Sequence, residues 1–121
     1  MIACLRTVAV PIEVRERFLA WIEAGKAVRE AHGILAELVF EPSNGEGDTV
    51  VLTLWPSHEV FDAWIATPDR DRLTASDVHR AVDYRPITRY EVAGGYINNP
   101  ALALSGIDRF AITEPTEEES P

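Results

Sequence analysis

The chain has 121 residues, a length typical of one domain, and 46% of them are hydrophobic, as in an ordinary soluble globular protein. The formal net charge of −9 argues against nucleic acid as a partner, because phosphate binding needs a basic face. No apolar run approaches the roughly 20 residues that span a membrane, and the N-terminus has no basic leader. We therefore expect a cytoplasmic protein without a membrane partner.

Six predicted elements follow one another in the order strand, helix, strand, strand, helix, strand. They cover residues 2–10, 12–33, 34–40, 49–55, 58–81 and 87–97. This order predicts an α+β, ferredoxin-like βαββαβ fold, in which an antiparallel sheet carries helices on one face only. Because the chain is short, we expect a second copy to cover the other face, which makes a homodimer.

Alternation along the strands predicts which side chains share a face. In the first strand Arg6 lies on the same face as Val8 and Val10, and we expect that face to meet the helices. In the second and third strands we expect the uniformly apolar face to meet the helices. The mixed face, which carries Glu37, Thr49 and Thr53, would then meet the partner subunit.

The helical stretches carry clear start and stop signals. Gly33 is placed to end the first one, just past its last turn. In the second, Ser57 is the expected N-cap, and Pro68 breaks the stretch and begins a new short helix with Thr67 as its cap. A further break is expected near Ser76.

The C-terminal part divides into two segments beyond a domain of residues 1–97. Residues 98–112 contain five large apolar side chains, so we expect an ordered arm that packs on the domain or on the partner subunit. Residues 113–121 are acidic and poor in apolar side chains, which predicts a disordered tail.

No strong catalytic motif is present, so candidate site residues rest on their chemistry. A guanidinium on a helix-covered strand face, as at Arg6, needs a carboxylate or an anionic ligand, unless it lies at the sheet rim and reaches water. His79 is a candidate acid or base near neutral pH, or else a surface histidine. Trp55 and Trp64 either anchor the core or line a pocket for a flat ligand.

Two further side chains complete the candidate binding residues, and no metal site is expected. Cys4, on the first strand, is either an inert small hydrophobe or a pocket residue, and Phe40 is a candidate pocket residue at the end of the second strand. Because the three histidines are scattered and the chain has one cysteine, neither a metal-ligand cluster nor an internal disulfide is predicted.

The residues Trp55-Pro56-Ser57-His58-Glu59-Val60-Phe61-Asp62-Ala63-Trp64 form the pattern W-x-S-x-E-x-F-x-A-W. With the FLAW sequence of the first helical stretch, this pattern resembles the antibiotic biosynthesis monooxygenase (ABM) superfamily of dimeric α+β barrels. The likeness covers roughly residues 1–97. It implies a ferredoxin-like domain whose open sheet face packs on a second subunit.

Two branches of the superfamily imply different site residues. The haem-degrading branch has an asparagine, a tryptophan and a histidine; here Arg6 stands at the first position, Trp64 at the second, and Ser76 near the third, with His79 three residues later. The cofactor-free, quinone-forming branch has an asparagine and a tryptophan on the third strand, where this chain has Val51 and Trp55.

Three functional hypotheses follow from the residues and the resemblance. The first is an oxidoreductase, a cofactor-independent monooxygenase that acts on an aromatic, phenol-like small molecule; Arg6 would hold the substrate anion and His79 would take its proton. The second is a non-catalytic barrel protein that binds an aromatic small molecule. The third is a haem-degrading or haem-binding protein.

Overall fold

The computed structural model describes residues 1–96, which contain five strands and five helices. The strands are β1 (Ile2–Ala9), β2 (Ala36–Phe40), β3 (Thr49–Trp55), β4 (Asp83–Tyr84) and β5 (Thr88–Glu91). The helices are α1 (Arg15–Ala24), α2 (Lys26–Ala31), α3 (His58–Ile65), α4 (Pro68–Thr74) and α5 (Asp77–Arg80), and a 3-10 turn (Ile12–Val14) precedes α1.

The sheet is antiparallel and follows the predicted ferredoxin-like order. Its strands lie in the order β2-β3-β1-β4, and β5 also pairs with β1. The two ends of β1 thus pair with different strands: Val8 and Ala9 pair with β4, whereas residues 2–5 pair with β5. β4 and β5 together take the place of the fourth strand, which the sequence placed wholly after Pro86.

The helix boundaries follow from the capping residues. The side chain of Ser57 accepts a hydrogen bond from the backbone N–H of Val60, and Thr67 caps α4 in the same way, with Pro68 in its first turn. Ser76 caps α5. Gly33, with a positive φ of 104°, follows α2, as a left-handed residue does at a helix end. These predicted starts and stops are confirmed.

The predicted faces of β2 and β3 are wrong, whereas that of β1 is right. Thr53 lies opposite both Cys4 and Glu37 in the sheet, so the three share one face, and it is the face under the helices. The sequence pattern separated the mixed face from the uniformly apolar one but assigned them to the wrong sides, because hydrophobicity does not show which polar side chains find partners under the helices. Glu37 is tolerated beneath the helices because Arg29 of α2 pairs with it at 3.0 Å.

The opposite face of the sheet carries apolar side chains and no helix of the described chain. The register places Ala3, Leu5, Leu38, Phe40, Val50, Leu52, Leu54 and Tyr90 on it, and we call this set the open face. Phe40 is 47% exposed and Tyr90 is 53% exposed. A sheet face lined by apolar side chains, two of them exposed aromatics, is typical of an interaction surface.

The remaining predictions concern the end of the last strand and the C-terminal segments. The last predicted strand stops at Glu91, and Gly94 and Gly95 lie beyond it. The arm of residues 98–112 and the tail of residues 113–121 lie outside the described residues. No helix within residues 1–96 has both the length and the apolar character needed to cross a membrane.

Candidate functional site

A cavity of about 130 Å³ lies between the sheet and the helices. Its floor comes from the helix-covered face of the sheet, where Cys4, Arg6, Val51, Thr53 and Glu37 point toward the helices. Helices α1, α3 and α4 supply the walls. An engineered cavity of comparable volume, about 150 Å³, holds a benzene molecule, so this space fits a ligand of about one aromatic ring.

Aromatic side chains dominate the walls. The rings of Trp55 and Trp64 stack with their centroids 6.3 Å apart, and Phe61 meets Trp55 edge-on at 5.2 Å. The indole N–H of Trp55 donates to the hydroxyl of Thr53 at 2.9 Å, and that of Trp21 donates to the carbonyl of Leu73 at 3.0 Å. The indole rings of Trp21 and Trp55 are therefore fixed in place, and they offer a ligand their ring surfaces rather than their N–H groups.

One end of the cavity is cationic. Arg6 of β1 and Arg70 of α4 both line it, and neither side chain forms a salt bridge or a side-chain hydrogen bond within residues 1–96. The guanidinium of Arg6 lies 5.2 Å from the ring centre of Tyr84, whose ring stacks on that of His79 at 4.4 Å. Arg6 Nε, the Tyr84 hydroxyl and His79 Nδ1 are buried without a hydrogen-bond partner among the described residues.

Burial and the two arginines set the protonation of this end. Burial lowers the pKa of Arg6, and the charge of Arg70 lowers it further. Burial also lowers the pKa of His79, with Arg70 and Arg6 as further causes, so its ring is neutral at pH 7. The pKa of Tyr84 is raised to about 12, chiefly by burial, so its hydroxyl keeps its proton and can donate a hydrogen bond.

The other end of the cavity holds a buried ion pair. Arg29 is only 7% exposed; its Nε donates to a carboxylate oxygen of Glu37, and its terminal nitrogen donates to the carbonyl of Ile22. A Cβ at Gly25 would lie 2.5 Å from the Arg29 guanidinium, so the glycine between α1 and α2 makes room for it. Burial raises the pKa of Glu37 despite Arg29.

Several solved structures are similar to this one over most of the chain. A proposed antibiotic biosynthesis monooxygenase from Deinococcus radiodurans is 25% identical, with a TM-score of 0.61 over 82% of this chain and 98% of that one. The haem degrader MhuD from Mycobacterium tuberculosis, with two haems bound in its active site, is 22% identical, with a TM-score of 0.62 over 78% of this chain and 98% of that one.

SnoaB, a cofactor-independent oxygenase from Streptomyces nogalater, is 13% identical, with a TM-score of 0.62 over 78% of this chain and 94% of that one. No protein-family model and no curated protein matches the sequence. The chain has the fold of the antibiotic biosynthesis monooxygenases.

Within this ABM fold, the structure gathers four of the six predicted site residues around one cavity. Arg6, Trp55, Trp64 and Cys4 all line it. Phe40 does not, because it lies opposite Val50 on the open face, which is the consequence of the reversed faces of β2 and β3. His79 does not line it either, because its ring stacks on Tyr84, and it is Tyr84 that reaches the cavity.

Most of the positions that distinguish the two ABM branches line the cavity. Arg6 and Trp64 line the cavity, but the hydroxyl of Ser76 accepts a hydrogen bond from the backbone N–H of His79 and serves as a helix cap. No histidine of residues 1–96 lines the cavity. Val51 and Trp55 line it together, so the quinone-forming pair of positions does face the cavity, with valine in place of asparagine.

Sequence reasoning missed Arg70, Tyr84 and the true position of Glu37. Arg70 follows the Thr67-Pro68 helix start, and its side chain then points toward the sheet; the predicted break was the available signal. Tyr84 lies in a two-residue strand, which is too short for alternation to show which way its side chain points.

Within residues 1–96 no group of three or more histidine, cysteine, aspartate or glutamate side chains is placed to hold a metal ion.

Proposed function

We propose that this protein is a cofactor-independent monooxygenase of the ABM type that oxidises a phenol-like aromatic small molecule. The observation that carries the proposal is the Arg6 guanidinium on the floor of an aromatic-walled cavity, without an ion-pair partner among residues 1–96. A cation on the floor of a largely apolar cavity stabilises the phenolate form of the substrate. The electron-rich phenolate ring is then the group that reacts with oxygen.

The reaction balances without an added reductant. A phenol with a free ring position takes one oxygen atom from O₂ at that carbon and becomes a quinone, while the second oxygen atom leaves as water with the two hydrogens lost by the substrate. The protein has to bind the ring, stabilise its anion and accept one proton. The stacked Trp55 and Trp64 rings supply the flat wall that holds the substrate ring.

We assign the proton acceptor to Glu37, which replaces the predicted role of His79. Glu37 lines the cavity, whereas His79 does not and contacts only the outer sides of residues that line it, Tyr84 and Trp21. The strands that carry Arg6 and Glu37 lie on either side of β3, about 10 Å apart, so a small aromatic ring can lie between the two side chains. Burial raises the pKa of Glu37, which makes its carboxylate a stronger base than an exposed one.

Oxygen uptake tests this proposal. The protein, treated with a chelator, is mixed with a panel of hydroquinones, phenols and anthrones in an oxygen electrode cell. We expect uptake with at least one phenol-like compound, and one quinone formed for each O₂ consumed. If no compound on the panel causes uptake above its rate without protein, while binding is detected, the protein is a non-catalytic binder of aromatic small molecules.

Haem is the third candidate ligand, and the likeness to MhuD favours testing it. Haem is several times larger than the single ring that a cavity of about 130 Å³ fits. We therefore expect no shift of the Soret band when haem is added in equal amount to the protein. A Soret shift that saturates at a fixed stoichiometry would replace the phenol-oxidising proposal with a haem-handling one.

We also propose that the open face is the contact surface of a homodimer. The apolar side chains of this face have no helix over them within residues 1–96, and a second copy presents a surface of matching character. Size-exclusion chromatography with light scattering measures the assembly directly. A monomer at micromolar concentration contradicts this part of the proposal.

A further inference from the structure

The cavity is more cationic than a phenolate alone requires. Three guanidiniums line it, those of Arg6, Arg29 and Arg70, together with one carboxylate, that of Glu37. Arg29 and Glu37 neutralise each other at 3.0 Å. Two positive charges are therefore left at the end formed by Arg6 and Arg70, in a chain whose formal net charge is −9.

The hydrogen-bonding groups at this end also lack partners. Buried polar atoms without a hydrogen bond are rare in proteins, and each one calls for an explanation. Here Arg6 Nε and the Tyr84 hydroxyl are both buried and unpaired within the described residues, and both side chains line the same end of the cavity. The Arg6 Nε–H can only donate and the Tyr84 hydroxyl can donate, so one acceptor satisfies both. The positive charge of the neighbouring Arg70 favours an acceptor that is negatively charged.

From this arrangement we infer that the substrate carries a carboxylate on its aromatic ring, and that Arg6, Arg70 and Tyr84 bind that carboxylate. A carboxylate has two acceptor oxygens in one plane, which match the donors of a guanidinium, and the Tyr84 hydroxyl supplies a further donor. The aromatic walls and the volume of about 130 Å³ restrict the rest of the ligand to about one ring. The substrate class is thus a small hydroxyaryl carboxylic acid.

The conversion of this substrate rests on the proposed function, whereas its binding does not. With the carboxylate held at the Arg6 end, the phenol hydroxyl of a para-substituted ring points along the sheet toward Glu37, which takes its proton. The negative charge of the resulting phenolate is delocalised onto the para carbon that bears the carboxylate, so Arg6 at that end still stabilises the anion. The positive charges at the carboxylate end then fix the orientation of the ring. Such a compound would be converted to a carboxyquinone and water with the same consumption of one O₂.

Tryptophan fluorescence provides the test, because all three tryptophans of the chain, Trp21, Trp55 and Trp64, line the cavity. The probes are 4-hydroxybenzoate, its uncharged analogue 4-hydroxybenzamide, and 4-hydroxybenzenesulfonate. We expect the carboxylate to bind about tenfold or more tightly than the amide. Comparison with the sulfonate separates recognition of a planar carboxylate from attraction of any anion.

Two variants and a matched control locate the effect. Arg70→Gln and Arg6→Gln should each weaken carboxylate binding roughly tenfold or more and leave amide binding within about twofold. Arg72→Gln, on the same helix but paired with Asp69 at the surface, should change neither. Circular dichroism and thermal melting confirm that each variant is folded, and Arg70→Gln carries the test if Arg6→Gln, on a central strand, is not.

Three outcomes would overturn the inference: the amide binds as tightly as the carboxylate, Arg70→Gln weakens both probes equally, or neither probe binds at millimolar concentration. Equal binding of the sulfonate and the carboxylate, both lost in Arg70→Gln, would replace the carboxylate with anions in general. Failure of the inference is distinct from failure of the proposed function, because oxygen uptake with an uncharged hydroquinone would remain.

Discussion

The two faces of the sheet differ both in what covers them and in the polarity of their side chains. The helix-covered face is buried, yet it carries Arg6, Thr53 and Glu37. All three line the cavity, and Thr53 and Glu37 have hydrogen-bond partners there. The open face has no helix over it in the described chain, yet its side chains are almost all apolar. Polar side chains therefore mark the face that forms the cavity, and uniform hydrophobicity marks the face that we propose a second copy covers.

Breaking the ion pair on the helix-covered face should have the largest effect on stability. Arg29→Ala leaves the carboxylate of Glu37 buried without a partner, which costs about 3–5 kcal/mol of unfolding free energy. The double variant Arg29→Met with Glu37→Leu should recover most of that loss, because an apolar pair of similar volume needs no partner. Urea denaturation measures both.

The control for this prediction is Arg15→Ala, which removes the surface pair of Arg15 with Glu41. Exposed pairs contribute little to stability, so its unfolding midpoint should match that of the wild type. If Arg15→Ala and Arg29→Ala lower the midpoint equally, the buried pair is not special and the contrast between surface and cavity is wrong.

Charging the open face should affect assembly rather than the cavity. Leu52 lies opposite both Leu5 and Leu38 in the middle of that face, so Leu52→Glu places a carboxylate where a second copy would exclude water. Burying it without a partner costs several kcal/mol. We expect light scattering to show a monomer, whereas Ala20→Glu, on the exposed side of α1, should keep the mass of the wild type.

The pH dependence of oxidation should show the effect of burial on the pKa of Glu37, which we expect to be smaller than the effects of the variants above. The carboxylate must be ionised to accept the substrate proton, and burial raises its pKa above the usual value for glutamate. The rate, measured as kcat/KM, should therefore fall as the pH is lowered, and the fall should begin at a higher pH than an exposed glutamate would give. Glu37→Gln should abolish this acid limb; an unchanged limb in that variant assigns the proton to another group.

The sequence predicted the element order and the caps because those signals are local. Ser57, Thr67 and Gly33 act on backbone groups within a few residues, and alternation along β1 placed Arg6 correctly. The faces of β2 and β3 could not be assigned in the same way, because the deciding contact, between Arg29 and Glu37, joins two different elements and leaves no local signal in the sequence.

The candidate site shows the same difference between local signals and contacts that join distant parts of the chain. Arg6, Trp55 and Trp64 were predicted because a strand guanidinium and large aromatics next to a helix start are unusual in themselves. Tyr84 and Arg70 were missed because their importance comes from the pairing of β4 with β1 and the position of α4 over the cavity, and the one nearby signal, the helix start at Thr67-Pro68, does not specify either.

The most direct test of the central claim, that the cation on the helix-covered face drives oxidation, is oxygen uptake by Arg6→Gln with the best phenol-like substrate. We expect kcat to fall by about 100-fold or more, as when a single group that stabilises a developing anion is removed, while the melting temperature stays close to that of the wild type. Arg85→Gln, an exposed position paired with Asp83, should keep full activity. An Arg6→Gln protein that is folded and consumes oxygen at the wild-type rate would contradict the account.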